Sequence, residues 1–134
     1  LYPAFALHVA PHPFFLFDVR LGWTAPVALT QAATPSAHIG WQTEQGQGFT
    51  HVALTPGAPY LDYEELAGAP LPLLDTAHGV VLSGKIPHWL LVGAALVYRE
   101  HPWIGVVQAQ RDDTAFVVFS RTPAYPLGAE IMLH

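Results

Sequence analysis

Residues 79–107 read GVVLSGKIPHWLLVGAALVYREHPWIGVV. The run Gly79–Leu82 is short and apolar, which is typical of a buried strand. No Pro interrupts the chain from His88 to Arg99, and apolar residues recur on most sides, so this segment predicts a mostly buried helix. Pro87 suits the first turn of that helix, because its missing N–H is not needed there. Trp103–Val107 predicts a second strand, and strand, helix and strand together form a βαβ unit.

Outside this unit, apolar segments bounded by turn residues complete the predicted secondary structure. A third strand, Ala115–Phe119, returns antiparallel after the polar loop Gln108–Thr114, so we expect an α/β domain with a mixed, largely buried sheet. The remaining predicted elements are a strand at Phe14–Leu21, a hairpin that pairs Ala37–Trp41 with Phe49–Leu54 around Gln45–Gly48, and a short helix at Asp62–Leu66 that ends before Pro70.

The composition of the chain excludes several classes of partner. The chain has 134 residues, 51% of them hydrophobic, with no Cys; this length predicts a single domain over residues 1–134. Five basic and ten acidic side chains give a net charge of −5, which is unsuited to a duplex nucleic acid, although a few cations can hold a short anionic ligand. No apolar run approaches the roughly 20 residues of a membrane helix, and residues 1–5 lack the basic start of a signal peptide. We therefore expect a soluble cytoplasmic protein with no membrane partner.

Three segments are candidates for chemistry. In open α/β sheets, ligands bind at the carboxyl ends of strands, and Ser83–Lys85 leaves a strand and enters a helix there. A hydroxyl, a glycine, a cation and helix N–H groups can cradle a phosphate, although an ordinary strand-to-helix turn has the same pattern. We expect His101 and Arg121 to converge on this edge, where His101 could transfer protons and Arg121 could clamp a phosphate. A residue at a helix end and a solvated cation are the structural alternatives.

Metal and hydrolase motifs give no comparable signal. His8 and His12 have the spacing of a helical metal pair, but the neighbouring prolines oppose a helix. Asp112–Asp113 could hold a divalent cation, although an exposed acidic turn is the simpler interpretation. Neither the H-E-x-x-H nor the Gly-x-Ser-x-Gly motif occurs. We expect no dedicated structural zinc site, because paired ligand spacing is missing, while a site built from three histidines stays open.

A resemblance adds a specific expectation. Residues 79–90 resemble the segment G-V-V-[IL]-S-G-[RK]-x-P-x-W-L of a small CRISPR-associated family, here called Csx-three. The similarity covers about residues 62–131 and continues through three further segments: Tyr98–Pro102, Ala115–Ser120 and Pro123–Gly128. Residues 30–60 have no counterpart, so we expect an inserted hairpin that caps the ligand or builds an oligomer.

The resemblance implies a ring nuclease of type III CRISPR defence with a CRISPR-associated Rossmann-like fold. Such proteins bind cyclic tetra-adenylate and linearise it, and they form homodimers that stack into larger assemblies, with manganese favouring activity. By position, the expected ligand-binding residues are Ser83, Gly84, Lys85, Pro87, Gln108 and Gln110. His101 matches the histidine of the family's His-Pro pair.

The departures from the family pattern weaken the expectation of catalysis. Gln108-Ala109-Gln110 replaces an Asp-Pro-Arg motif, and Ser120-Arg121 stands where the family has a histidine. The remaining catalytic candidates are His101, Arg111 and Arg121, which would support slow, metal-free attack by a ribose 2′-OH. A sensor or sequestering module without turnover, and an assembly subunit without a ligand, stay open as alternatives.

Overall fold

A computed structural model describes residues 16–18, 22–33, 38–57, 61–108 and 111–133 of the chain. The described residues form a mixed α/β structure in which strands predominate. The helices are α1 (Tyr63–Leu66) and α2 (His88–Val97). The strands are β1 (Leu16–Asp18), β2 (Gly22–Thr24), β3 (Thr30–Ala32), β4 (Ile39–Gln45), β5 (Phe49–Pro56), β6 (Pro70–Pro72), β7 (Gly79–Ser83), β8 (Trp103–Gln108), β9 (Arg111–Ser120) and β10 (Glu130–Met132).

The main sheet has six strands in the order β10-β9-β8-β7-β5-β4. Its middle strands β5, β7 and β8 are parallel, and the flanking strands run antiparallel to their neighbours. The predicted βαβ unit β7–α2–β8 is confirmed. Parallel strands end on the same side, so the sheet has a carboxyl edge, where β5, β7 and β8 end, and an amino edge, where they begin.

Helix α2 covers one face of the main sheet. Its side chains Trp89, Leu90 and Val92 are at most 2% exposed and belong to the larger hydrophobic cluster. Burial of each such side chain contributes about 1.5–3 kcal/mol, so this packing holds the helix on the sheet. Among the residues that the structure describes, no helix is long and apolar enough to cross a membrane.

The described residues cover the opposite face, here called the open face, only in part. Near the amino edge, Phe49, Val81 and Trp103 form a second buried cluster. The ring of Tyr125 stacks on Trp103 with centroids 4.4 Å apart. Residues alternate between the two faces of a strand, and Val81 shares this face, so Ser83 projects from it beside the carboxyl edge.

Two predictions from turn and cap chemistry are confirmed. Strands β4 and β5 form the expected hairpin, with Gly48 at a φ of 83° in its turn. The hairpin belongs to the main sheet, because β5 also pairs with β7. In α1, the side chain of the N-cap residue Asp62 accepts a hydrogen bond of 2.9 Å from the backbone N–H of Glu64.

The predicted polar loop Gln108–Thr114 is wrong. Strand β8 continues to Gln108 and β9 begins at Arg111, so most of this segment extends a β-hairpin. Asp113 consequently lies within β9 and not in a turn. Cross-strand pairing there outweighs the low β-propensity of the polar side chains. Of the predicted strand Phe14–Leu21, the structure shows Leu16–Asp18; its other residues lie outside the described part of the chain.

Tyr98, at the end of α2, makes the stability of the fold depend on pH in the alkaline range. Its buried hydroxyl donates a hydrogen bond of 2.6 Å to the carbonyl of Pro72, and burial raises its pKa well above 10.0. The unfolded chain loses this proton near pH 10 while the folded protein keeps it, so stability falls as the pH rises above about 10. We expect Tyr98→Phe to cost about 1–2 kcal/mol at pH 7 and to fall less steeply than the wild type between pH 9.5 and 11, measured by urea unfolding. Parallel pH profiles would contradict this role.

Candidate functional site

The turn between β7 and α2 presents polar groups at the carboxyl edge. Ser83 is half-buried, and Gly84 and Lys85 are exposed. Gly84 has a φ of 136°, and a Cβ placed on it would overlap the backbone carbonyl of Leu54 on β5, so only glycine fits there. Pro87 is the N-cap of α2 and makes no side-chain hydrogen bond to the first turn. A cation and a hydroxyl thus lie beside a helix N-terminus, whose N–H groups and dipole favour anions.

Ser83 has a histidine partner that the sequence analysis missed. The Nε2 atom of His51, on β5, lies 2.7 Å from the Oγ atom of Ser83. Ala53 pairs with Ser83 in the parallel register, and residues two apart share a face, so His51 lies diagonally across from the serine. This contact follows from the pairing of β5 with β7, which the sequence alone did not predict.

His101 lies at the amino edge, at the opposite end of the parallel strands from Ser83. Its side chain is 2% exposed, and its Nδ1 atom is 2.9 Å from the carbonyl oxygen of His78. Its ring also packs edge-on against Tyr98, with centroids 5.4 Å apart. These contacts give the imidazole a structural role in the described chain.

Arg121 also lies at the amino edge, where Ser120 pairs with Trp103. Its Nη2 atom donates a hydrogen bond of 2.7 Å to the carbonyl of Arg99, just after the end of α2. Its guanidinium carbon lies 5.2 Å from the centroid of the Phe119 ring. A cation at a helix C-terminus is stabilising, and Arg121 itself stays solvent-exposed.

The expected convergence of three segments on one edge is therefore wrong. Ser83 and Lys85 follow a parallel strand, whereas His101 precedes the next one, and Arg121 follows a strand antiparallel to it. The crossover helix of a βαβ unit returns the chain to the edge where the strands begin. At about 3.3 Å per strand residue, the five residues of β7 separate the two groups by about 15 Å.

The other predicted site residues lie toward the carboxyl edge. Gln108 ends β8 and pairs in register with Arg111, the first residue of β9. The side chains of both, and Gln110 as a whole, lie outside the described part of the chain, so their roles stay predictions. Where the chain is described, no group of three or more His, Asp or Glu residues could hold a metal ion. The manganese implied by the resemblance therefore has no donor set among these residues.

We expect His101→Ala to act mainly on stability. The change leaves a cavity and removes the imidazole partner of the His78 carbonyl, which together cost about 2–4 kcal/mol. His78→Ala is the matched control: its side chain is half exposed and its carbonyl is kept, so we expect a loss below about 0.5 kcal/mol. Chemical unfolding measures both. Equally small losses of unfolding free energy in the two variants would contradict a structural role for His101.

Comparison with protein families gives one match. Residues 54–132, more than half of the chain, match the family model described as CRISPR-associated protein (Cas_csx3). The match includes both edges of the sheet described above, from the end of β5 through β10. No curated protein matches the chain significantly.

Proposed function

This chain belongs to the CRISPR-associated Cas_csx3 family, and on that premise we propose that it binds cyclic tetra-adenylate, the messenger of type III CRISPR defence, at the carboxyl edge. The observation that carries the proposal is the β7–α2 turn. The resembling segment folds as a strand, a glycine-dependent turn and a helix that begins at Pro87, with Lys85 exposed beside it. A phosphate of the ring would lie against this turn, near the Ser83 hydroxyl.

Charge supports a small cyclic anion over a long polymer. The chain carries five Lys and Arg residues in total. Arg99 and Arg121 lie at the amino edge, and at the carboxyl edge Lys85 is the cation whose side chain the structure describes, because that of Arg111 lies outside the description. Each cation would contribute one charge-assisted contact. A second copy of the chain would supply the same cation again, which suits a ring with repeated phosphates.

Homo-oligomerisation would also bring the two edges together. Within one chain, Lys85 and Arg121 lie on opposite edges of the sheet, so no single copy places both on one ligand. A head-to-tail contact between copies would set the amino edge of one against the carboxyl edge of the next. Heterologous contacts of this kind form rings or open stacks, in line with the assemblies that the resemblance implies.

Linearisation is the proposed reaction. The 2′-oxygen of one ribose attacks the adjacent phosphorus in line, the bond from phosphorus to the 5′-oxygen breaks, and the product ends in a 2′,3′-cyclic phosphate. In this step Lys85 and the N-terminus of α2 would stabilise charge on the phosphate oxygens.

A non-catalytic sensor or sequestering protein is the second candidate, favoured by the position of His101. That residue is 2% exposed and bonded to the His78 carbonyl, so it reaches no ligand unless the amino edge rearranges. Gln108 also stands where the family has a carboxylate.

The test is to incubate the purified protein with cyclic tetra-adenylate, with and without manganese, and to separate ring from linear product by chromatography. Linear product establishes a ring nuclease. An intact ring that raises the melting temperature establishes a sensor or sequestering protein. No product and no thermal shift would overturn both candidates and leave an assembly subunit.

A further inference from the structure

We propose that His51 and Ser83 form a proton relay for ring cleavage at the carboxyl edge, with Ser83 contacting the substrate and His51 acting through it as a positioning residue. This relay rests on the proposed function. It adds His51, which is not among the site residues that the family resemblance implies. Its basis is the 2.7 Å contact between His51 Nε2 and Ser83 Oγ.

The register of the sheet builds this pair. His51 lies opposite Val81, and Ala53 lies opposite Ser83, on neighbouring parallel strands. Ala53, the next residue of β5 on this face, has only a methyl side chain, and the imidazole of His51 reaches the hydroxyl of Ser83 beside it. Because both partners lie on paired strands and not in loops, the backbone fixes their separation.

Both residues of the pair are partly exposed on the open face. His51 and Ser83 are both half-buried, whereas the Tyr125 ring covers the same face at the amino edge, over Trp103. Ser83 directly precedes the turn that carries Lys85. A phosphate against that turn therefore brings its neighbouring ribose toward the serine hydroxyl.

A carboxylate residue lies on the strand next to His51. Glu44, on β4, lies opposite His51 in the antiparallel register, and directly opposed residues have Cβ atoms about 4.5–5.5 Å apart. On the strands that flank β5, this face carries no other titratable side chain among the described residues: β4 adds Gly40 and Gln42, and β7 adds Val81 and Ser83. A neighbouring carboxylate stabilises an imidazolium that forms during a reaction.

The relay moves one proton. Ser83 takes the proton of the 2′-hydroxyl as it gives its own to Nε2 of His51, and the 2′-oxygen bonds to phosphorus. The bond to the 5′-oxygen breaks, and that oxygen takes a proton from water. The imidazolium then returns its proton to solvent. The serine forms no covalent bond to the ring, and nothing is oxidised or reduced.

The test compares wild type, His51→Gln, Ser83→Ala and the double variant in single-turnover cleavage of cyclic tetra-adenylate between pH 5 and 9. Glutamine keeps a hydrogen-bonding group near Ser83 but cannot accept the proton. We expect each single variant to lose about 10²- to 10⁴-fold in rate, with the dissociation constant of the ring changed less than about threefold. The double variant should be no slower than the slower single one, because the two residues act in series.

The pH profile separates the relay from a structural role. The relay needs a neutral imidazole to accept the proton, so the wild-type rate should be lower at the acidic end of this pH range than at the alkaline end, and His51→Gln should lack this dependence. His38→Gln, which changes an exposed histidine paired with Glu65, is the matched control and should keep the wild-type profile. Melting temperatures identify a variant that fails to fold, and the smaller change, Ser83→Ala, then carries the test.

Three results would overturn the relay. In the first, His51→Gln keeps the wild-type rate and pH profile, which leaves the proposed function intact. In the second, the losses of the two single variants multiply in the double variant. In the third, the wild type binds the ring without cleaving it, so that only the binding half of the proposed function stands. A wild type that neither binds nor cleaves the ring removes the proposed function, and the relay with it.

Discussion

Lys85→Glu should reduce binding of cyclic tetra-adenylate by at least about 10²-fold. The side chain is exposed at the start of α2, and a hydrogen bond to a charged group contributes about 1.5–3 kcal/mol, or roughly 10- to 10²-fold in affinity. The reversed charge adds repulsion of the phosphates to that loss. Lys85→Gln should fall between wild type and Lys85→Glu. Isothermal titration calorimetry at two salt concentrations measures the affinities of the wild type and the two variants.

Thr43→Glu is the matched control for Lys85→Gln, because each change lowers the net charge by one. Thr43 is exposed on the edge strand β4, and it pairs with Val52, which faces α2. It therefore lies on the face of the sheet opposite Ser83. We expect its affinity to stay within about threefold of wild type. Equal losses of affinity in Thr43→Glu and Lys85→Gln would mean that overall charge governs binding. An unchanged affinity in Lys85→Glu would show that the β7–α2 turn does not bind a phosphate of the ring.

Gly84→Ala should destabilise the protein by about 3–5 kcal/mol. A φ of 136° is strained for any residue with a Cβ, and that Cβ would overlap the Leu54 carbonyl, a backbone atom held within β5. Strain and overpacking each cost about 1–3 kcal/mol. The melting temperature should fall by about 10 °C or more, measured by calorimetry. A loss below about 1 kcal/mol would show that the turn can rearrange.

Gly68→Ala separates the two causes. Gly68 has a φ of 78°, but among the described residues, its two chain neighbours aside, no atom lies within 4 Å of a Cβ placed there. This variant therefore has the backbone strain without the overlap, and we expect a loss of about 1–2 kcal/mol. If the two variants lose equal stability, contact with β5 does not explain the requirement for glycine at position 84.

Local signals in the sequence predicted much of the fold. The apolar run Gly79–Leu82 and the following helix gave β7 and α2 nearly to the residue, and the Gln45–Gly48 turn gave the β4–β5 hairpin. Asp62 correctly marked the start of α1. In each case, the periodicity or cap chemistry lies within the segment itself.

The sequence did not predict what depends on distant pairing. Strand β6, Pro70–Pro72, looked like a helix end, but it pairs in parallel with Thr30–Ala32. The contact between His51 and Ser83 spans 32 positions and follows only from the register of β5 on β7. The prediction that His101 lies at the carboxyl edge is wrong, because the crossover helix returns the chain to the amino edge before β8 begins.

Amide hydrogen exchange, followed by mass spectrometry with and without cyclic tetra-adenylate, tests the proposed binding site most directly. If the ring binds at the β7–α2 turn, exchange should slow in peptides that cover residues 83–91, and Lys85→Gln should need a higher ring concentration for the same protection. Peptides at the amino edge, around residues 98–102, should be protected only where copies of the chain associate. Protection confined to another part of the chain, or no protection at saturating ring, would contradict binding at the carboxyl edge.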